Sequence, residues 1–206
     1  MARVLITAYG PYDSWHENAS WLALKELTSR PFEKVELTTR LYPVDFAELR
    51  SRLESDLAPG FDCVLHLGQA PGRGSIALEA FGVNVQRERG QAGLDAKPLA
   101  PDGPPAYRSS LPLEQWASSL RRAGIPADVS FYAGDYLCNA AMYWSHYFAV
   151  RSGKSPAATF LHLPLDTSQA VEASSDLPSL PAATSARAIR LLLETMRPAP
   201  TSEGFA

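Results

Sequence analysis

Cysteine is scarce in this sequence of 206 residues, which contains only Cys63 and Cys138. The two residues do not form a Cys-x-x-Cys pair, so a disulfide framework or a cysteine-rich metal site has little support. No two histidines have a zinc-motif spacing such as His-Glu-x-x-His, and we expect neither a metal nor another cofactor. Reduced thiols are the simplest interpretation, and they favour a cytoplasmic location.

An excess of charge of one sign is also missing. The formal net charge is −3, and the 19 Lys and Arg residues are scattered along the chain. Because no basic stripe is present to contact a phosphate backbone, nucleic acid is not an expected partner. The first apolar run ends at Tyr9-Gly10-Pro11 and is too short for a signal peptide or a membrane span, so no membrane partner is expected.

Hydrophobic residues make up 46% of the chain and charged residues 20%. This composition is enough for one buried core, and it predicts a single domain over residues 1–196. Residues 197–206 have the composition of a flexible tail.

Strand and helix patterns alternate along the chain. Runs rich in β-branched and aromatic residues predict strands at Arg3–Ala8, Lys34–Leu41, Cys63–Gly68, Ile76–Phe81, Asp128–Tyr132 and Ala157–Leu163. Apolar residues at helical spacing predict helices at Ser20–Ser29, Phe46–Leu57, Leu113–Arg122, Asn139–Val150 and Ala183–Met196. Such alternation is typical of an α/β layered domain. The segment 87–105 is long, is rich in Gly and Pro, and is expected to lie over a functional site.

Cys138 is a candidate nucleophile. It follows a turn that contains Gly134, and it precedes an apolar helical pattern. A thiol at the N-terminus of a helix is activated by the helix dipole, because the thiolate is the nucleophilic form. The alternative is a small buried hydrophobic residue, which is how Cys63 is interpreted within its apolar strand.

A thiol nucleophile needs a base, and the chain has four histidines. His162 is the best placed, because it lies near the end of a predicted strand, where functional groups of α/β sheets gather. His66 and His146 fit structural positions in a strand and a helix, and a buried structural histidine remains an alternative for His162 as well.

The residue that orients the base could be one of several. Asp135, Asn139 and Asp166 are available, but Glu79 is the unusual candidate. It is a carboxylate in an otherwise apolar strand, where a charge is costly unless it is paired. A strand position that faces solvent is the alternative interpretation.

The segment Gly68-Gln69-Ala70-Pro71-Gly72-Arg73-Gly74 superficially has the form of a dinucleotide-binding turn. Such a turn must open a helix whose N-terminus faces the pyrophosphate. The residues that follow predict a strand instead, so a nucleotide site is not expected.

Taken in order, three motifs resemble those of the pyroglutamyl peptidase I family, also called pyrrolidone carboxyl peptidases. The glutamate motif corresponds to Gly68–Arg73 followed by Glu79-Ala80-Phe81-Gly82-Val83-Asn84. The cysteine and histidine motifs correspond to Tyr136-Leu137-Cys138-Asn139 and to Phe160-Leu161-His162-Leu163-Pro164. The resemblance covers nearly the whole chain. It implies a three-layer α/β/α sandwich around a twisted mixed sheet, of the phosphorylase/hydrolase-like kind.

The resemblance also implies a cysteine peptidase that removes pyroglutamate from peptide N-termini. Cys138 would be the nucleophile, His162 the base and Glu79 the residue that orients the base. The backbone N–H of Cys138 and the side chain of Arg89 would stabilise the oxyanion. The family needs no cofactor and is often homo-oligomeric, as a dimer or tetramer.

The pyroglutamate ring would lie between Tyr9 and Tyr12, beside Tyr136 and Leu137, with Asn18 and Gln69 as polar partners. Here the sequence departs from the family. The usual Gly-Phe-x-Pro-Phe-Gly-Gly motif reads Ala8-Tyr9-Gly10-Pro11-Tyr12-Asp13-Ser14, and Arg87 replaces an acidic residue. Two alternatives therefore remain, a related cysteine amidohydrolase with a different small-ring specificity and a non-catalytic homologue that binds pyroglutamate.

Overall fold

Strands and helices alternate in the part of the chain that the structure, a computed structural model, describes. That part comprises residues 1–88, 96–153, 157–173 and 175–196. The strands are β1 (Ala2–Tyr9), β2 (Val35–Tyr42), β3 (Cys63–Gln69), β4 (Ile76–Glu79), β5 (Phe81–Val83), β6 (Ala106–Arg108), β7 (Ala127–Ser130) and β8 (Ala157–Leu163). The helices are α1 (Ala19–Thr28), α2 (Phe46–Leu57), α3 (Leu113–Arg122), α4 (Leu137–Arg151), α5 (Thr167–Glu172) and α6 (Ala182–Glu194).

Six strands form one mixed sheet in the order β2-β1-β3-β8-β4-β7. The first four are parallel, whereas β4 runs antiparallel to β8 and parallel to β7. Strands β3 and β8 are buried along nearly their whole length, because helices cover both faces of the sheet. Strands β5 and β6 form a separate antiparallel pair.

Two hydrophobic cores lie on opposite faces of this sheet. Helices α1, α3 and α6 pack on one face, and α2 and α4 pack on the other. The fold is therefore a three-layer α/β/α sandwich, which confirms the predicted architecture. Helix α4 is buried on most of its sides.

The observed strands and helices differ from the predicted ones at several places. The single strand predicted at Ile76–Phe81 is two strands, because the chain leaves the main sheet after Glu79 and β5 pairs with β6 instead. Helix α4 begins at Leu137, so Cys138 lies within it rather than before it. Helix α5 and the three-residue strand β6 were not predicted. The tail at 197–206 lies outside the described residues.

Strand β5 crosses helix α4 so closely that it requires glycine at position 82. A Cβ atom at Gly82 would lie 2.7 Å from the backbone nitrogen of Tyr143 and 2.9 Å from its Cα. Because backbone atoms cannot rotate away, we expect Gly82→Ala to destabilise the fold by about 1–3 kcal/mol. A lowered midpoint of urea unfolding would show this. Gly74→Ala is the control, since its Cβ would meet Pro178 at an ordinary 3.6 Å. Equal midpoints for the two variants would contradict the expectation.

Candidate active site

A cavity of about 290 Å³ lies where the carboxyl ends of β1, β3 and β8 meet the N-terminus of α4. This is the edge at which α/β sheets gather functional groups. Its lining residues come from distant parts of the sequence, and they are Tyr9, Tyr12, Asn18, Val44, Gly68, Gln69, Ala70, Pro71, Ala133, Gly134, Asp135, Tyr136, Leu137, Cys138 and His162. The cavity therefore brings together the candidate nucleophile and the candidate base.

Cys138 is half-buried in the first turn of α4. The backbone N–H groups of this turn have no acceptor within the helix, and they carry the positive end of the helix dipole. The sulfur lies against Gly68, where a Cβ atom would be 3.4 Å from Sγ and only 2.5 Å from the ring of Phe160. Glycine at position 68 thus leaves the space that the thiol needs.

His162 and Glu79 form a buried pair on the neighbouring strands β8 and β4. His162 Nδ1 donates to Glu79 Oε1 over 2.7 Å. Glu79 is fully buried, so His162 is the partner that compensates its charge. The second carboxylate oxygen, Oε2, has no hydrogen-bond partner among the described residues.

Electrostatics favour the protonated form of His162. Burial by itself lowers the pKa of His162, but interactions with Cys138 and Glu79 outweigh burial and raise the pKa to about 9. These contacts favour a proton on His162, between the sulfur of Cys138 and the carboxylate of Glu79. This is the arrangement that a thiol nucleophile and its base require.

The other three histidines are placed differently. His66 is fully buried, and its ring nitrogens contact Thr7 Oγ1 at 2.7 Å and Ser145 Oγ at 2.8 Å. Burial and the nearby His146 lower the pKa of His66 to about 3, and burial lowers the pKa of His146 to about 4. His16 is exposed. Of the four, His162 alone lines the cavity.

The other candidates for orienting the base also have different partners. Asp166 caps helix α5 through Ser168, and Asp135 pairs with Arg87 at 3.3 Å. Asn139 binds backbone atoms of β5 and of the residues after it. Within the described part of the chain, Glu79 is thus the candidate that contacts His162.

Aromatic side chains form much of the cavity wall. The rings of Tyr12 and Tyr136 lie 6.1 Å apart, and Phe46 packs edge-on against Tyr136 at 5.2 Å. Tyr9 is almost completely buried and packs against Tyr42 and Phe160. Together with Leu137, these rings make an apolar slot of the size that a small ring needs.

Asn18 and Gln69, the two residues predicted to bind the polar atoms of the pyroglutamate ring, differ in the hydrogen bonds that their side chains already form. Asn18 caps helix α1, since its Oδ1 accepts from Ser20 and its Nδ2 donates to the carbonyl of Gly10. Gln69 Oε1 accepts from the backbone of Ala19 and from Gln169, and these donors fix the amide orientation. Its Nε2 is buried without a partner among the described residues. Gln69 Nε2 is therefore a donor without a partner among the described residues, whereas both the oxygen and the nitrogen of the Asn18 side chain already form hydrogen bonds.

The segment 87–105 is described only in part. Arg89 and the rest of residues 89–95 lie outside the described residues, so the predicted oxyanion role of Arg89 stays a prediction. The backbone N–H of Arg87 donates to the carbonyl of Asp135 at 2.8 Å, which ties the segment to the turn before Cys138. Further along, Asp102 accepts from Tyr147 on α4. The described residues of this segment do not line the cavity.

The supporting roles of three residues at the site were not found from the sequence. Asn139 ties the first turn of α4 to Val83 and Val85 by three hydrogen bonds. Val44 lines the cavity, and Gln169 holds Gln69 from a distance of 100 positions in the sequence. Only Gln169 had a usable signal, because Asp166-x-x-Gln169 is a capping box that marks the start of a helix.

In the described ranges, His, Cys, Asp and Glu side chains do not come together in any group of three that could hold a metal ion. Nor is any helix among these residues both long enough and apolar enough to cross a membrane.

Comparison with known proteins gives consistent matches over almost the whole chain. The family model described as pyroglutamyl peptidase matches residues 2–198. A pyrrolidone-carboxylate peptidase of Streptomyces coelicolor is 34% identical, covering 98% of this chain and 95% of the relative, and one from an Enterobacter species is 33% identical, covering 94% and 92%. The crystal structure of a pyrrolidone carboxyl peptidase from Fervidobacterium islandicum superimposes with a TM-score of 0.88 at 31% identity, covering 94% of this chain and 97% of that one.

Proposed function

The chain belongs to the pyroglutamyl peptidase family of hydrolases, whose members remove pyroglutamate from peptide N-termini, and we propose that Cys138, His162 and Glu79 carry out this reaction here. The observation that carries the proposal is the 2.7 Å bond between His162 and the buried Glu79, beside Cys138 at the end of a small aromatic cavity. A carboxylate that holds one imidazole nitrogen leaves the other for the nucleophile.

The reaction proceeds through an acyl-enzyme. His162 takes the proton of the Cys138 thiol, the sulfur attacks the carbonyl carbon between pyroglutamate and the next residue, and a carbon–sulfur bond forms as the carbonyl oxygen becomes an oxyanion. The carbon–nitrogen bond then breaks as His162 gives its proton to the leaving amine. His162 next takes a proton from water, whose oxygen attacks the thioester. Pyroglutamate leaves, and Cys138 recovers a proton from His162.

Charge on the carbonyl oxygen develops close to the first turn of α4. The backbone N–H of Cys138 is the donor that supports its stabilisation, because N–H groups of this turn have no acceptor within the helix. Arg89 remains the proposed second donor on the basis of the family resemblance alone.

The acyl site combines apolar walls with few polar groups, as a neutral lactam ring requires. Tyr9, Tyr12, Tyr136 and Leu137 supply the walls. The free Nε2 of Gln69 is a donor for the ring carbonyl. Asn18 acts indirectly, since its side chain holds the start of α1 next to Gln69.

The resemblance also supports a cytoplasmic homo-oligomer, a dimer or tetramer, as part of the proposal. Sedimentation equilibrium of the purified chain tests the assembly, and a monomer at micromolar concentration would contradict it.

The activity itself is tested with three arylamides, whose acyl groups are pyroglutamyl, prolyl and alanyl, under reducing conditions. We expect fluorophore release from the pyroglutamyl compound to exceed release from the other two by at least 10³-fold, because a site built to bind a lactam amide rejects groups that lack it. Preferred cleavage of another acyl group would favour a cysteine amidohydrolase of different specificity. Binding of pyroglutamate without turnover would favour the non-catalytic homologue.

A further inference from the structure

Tyr9 contributes a hydroxyl group to the acyl site that the proposed mechanism does not use. The residue ends strand β1, next to the strand that carries Gly68 and Gln69. It lines the same cavity as Cys138 and His162, and only 4% of its surface is exposed. The family motif that this segment resembles has Phe at this position, so the hydroxyl is a departure of this chain.

The hydroxyl is buried without a hydrogen-bond partner among the described residues. Buried polar groups are nearly always satisfied, because an unsatisfied one costs about 1–3 kcal/mol. The neighbouring tyrosine shows the usual outcome, since the hydroxyl of Tyr42 donates to Asp56 at 2.8 Å. A group that keeps this cost in the folded protein is well suited to a partner that arrives with the substrate.

The Tyr9 hydroxyl is suited to act as a hydrogen-bond donor in its neutral form. Burial raises the pKa of Tyr9 well above its ordinary value of 10, and electrostatic interactions with Cys138 and Tyr42 raise it further. The phenol therefore keeps its proton at every pH at which the enzyme would act. Tyr9 and Cys138, to which the acyl group becomes attached, line the same cavity.

We propose that the hydroxyl of Tyr9 donates a hydrogen bond to the ring carbonyl of bound pyroglutamate and so strengthens the preference for a lactam over an apolar ring of the same size. This inference rests on the proposed function. A carbonyl oxygen has two lone pairs, so it can accept from Tyr9 and from Gln69 Nε2 together. Both donors lie buried at this cavity without a partner in the described protein.

The test compares pyroglutamyl and cyclopentanecarbonyl arylamides, whose acyl rings have the same size, under single-turnover conditions. In Tyr9→Phe we expect kcat/KM for the pyroglutamyl compound to fall on the order of tenfold and that for the cyclopentanecarbonyl compound to stay unchanged. The midpoint of thermal unfolding should not fall, because the removed hydroxyl has no partner among the described residues.

Tyr42→Phe is the matched control, since Tyr42 packs against Tyr9 but does not line the cavity. It should lower the unfolding midpoint through loss of the bond to Asp56 and leave the ratio of the two substrates unchanged. An unchanged ratio in Tyr9→Phe, or an equal loss for both substrates, would overturn the inference and leave the proposed function standing. Absence of pyroglutamyl turnover by the wild type would overturn the proposed function and this inference with it.

Discussion

Cys138→Ala is expected to reduce hydrolysis of a pyroglutamyl arylamide by 10⁴-fold or more while the fold is retained. The acyl-enzyme of the proposed mechanism forms on the Cys138 sulfur, so the loss of this atom removes the acyl-enzyme altogether. The loss in stability should be small, because Cys138 is half-buried and alanine is a good helix former. Initial rates and the midpoint of thermal unfolding, measured on the same preparation, check both parts.

Cys63→Ala is the matched control for this prediction. Cys63 is buried in β3 within the core beneath α1, and it does not line the cavity. Burial, followed by the charge of Asp62, raises the pKa of Cys63 far above its ordinary value, so this thiol stays protonated. We therefore expect Cys63→Ala to keep its activity. Iodoacetamide should inactivate this variant as fast as it inactivates the wild type. Full activity in Cys138→Ala would show that the nucleophile is elsewhere.

The sequence alone predicted the layers of this fold because its signals are local and strong. Strands β3 and β8 are continuous apolar runs, and helix α2 was predicted with both of its ends correct. The short strand β6 carries no such signal, since its three residues are exposed or half-buried and pair only with β5. Glu79 could be singled out because a carboxylate in an apolar strand requires a partner.

The identity of that partner could not be deduced from sequence patterns. His162 is 83 positions away from Glu79, and the two residues meet only because β4 runs antiparallel to β8 in an otherwise parallel arrangement. The same holds for Gln69, whose free donor is evident only once the bonds from Ala19 and Gln169 are known. Asn18 is the opposite case. It is a polar residue at the cavity, but its side chain caps helix α1.

Glu79→Gln is the second substitution for which we expect a large effect, a fall in kcat/KM of about 10²- to 10⁴-fold. Glutamine has almost the same shape, but it removes the negative charge that holds the His162 ring with Nδ1 as donor. Its amide would also place N–H donors where Glu79 Oε2 lies without a partner. Glu36→Gln is the control, because Glu36 is likewise a strand residue but is exposed on β2. Equal activities of the two variants would rule out the proposed role of Glu79.

The pH dependence of stability provides a second measure of the same pair. Although burial opposes it, contacts with Cys138 and Glu79 raise the pKa of His162 to about 9 in the folded chain, against an ordinary 6.5. A raised pKa contributes stability that is complete below pH 6.5 and is lost as the pH rises through 9. Glu79→Gln removes one cause of the shift, so its free energy of unfolding should fall less than that of the wild type between pH 6.5 and 9. Urea unfolding at several pH values in this range measures the difference, and parallel curves would show that Glu79 does not hold the proton on His162.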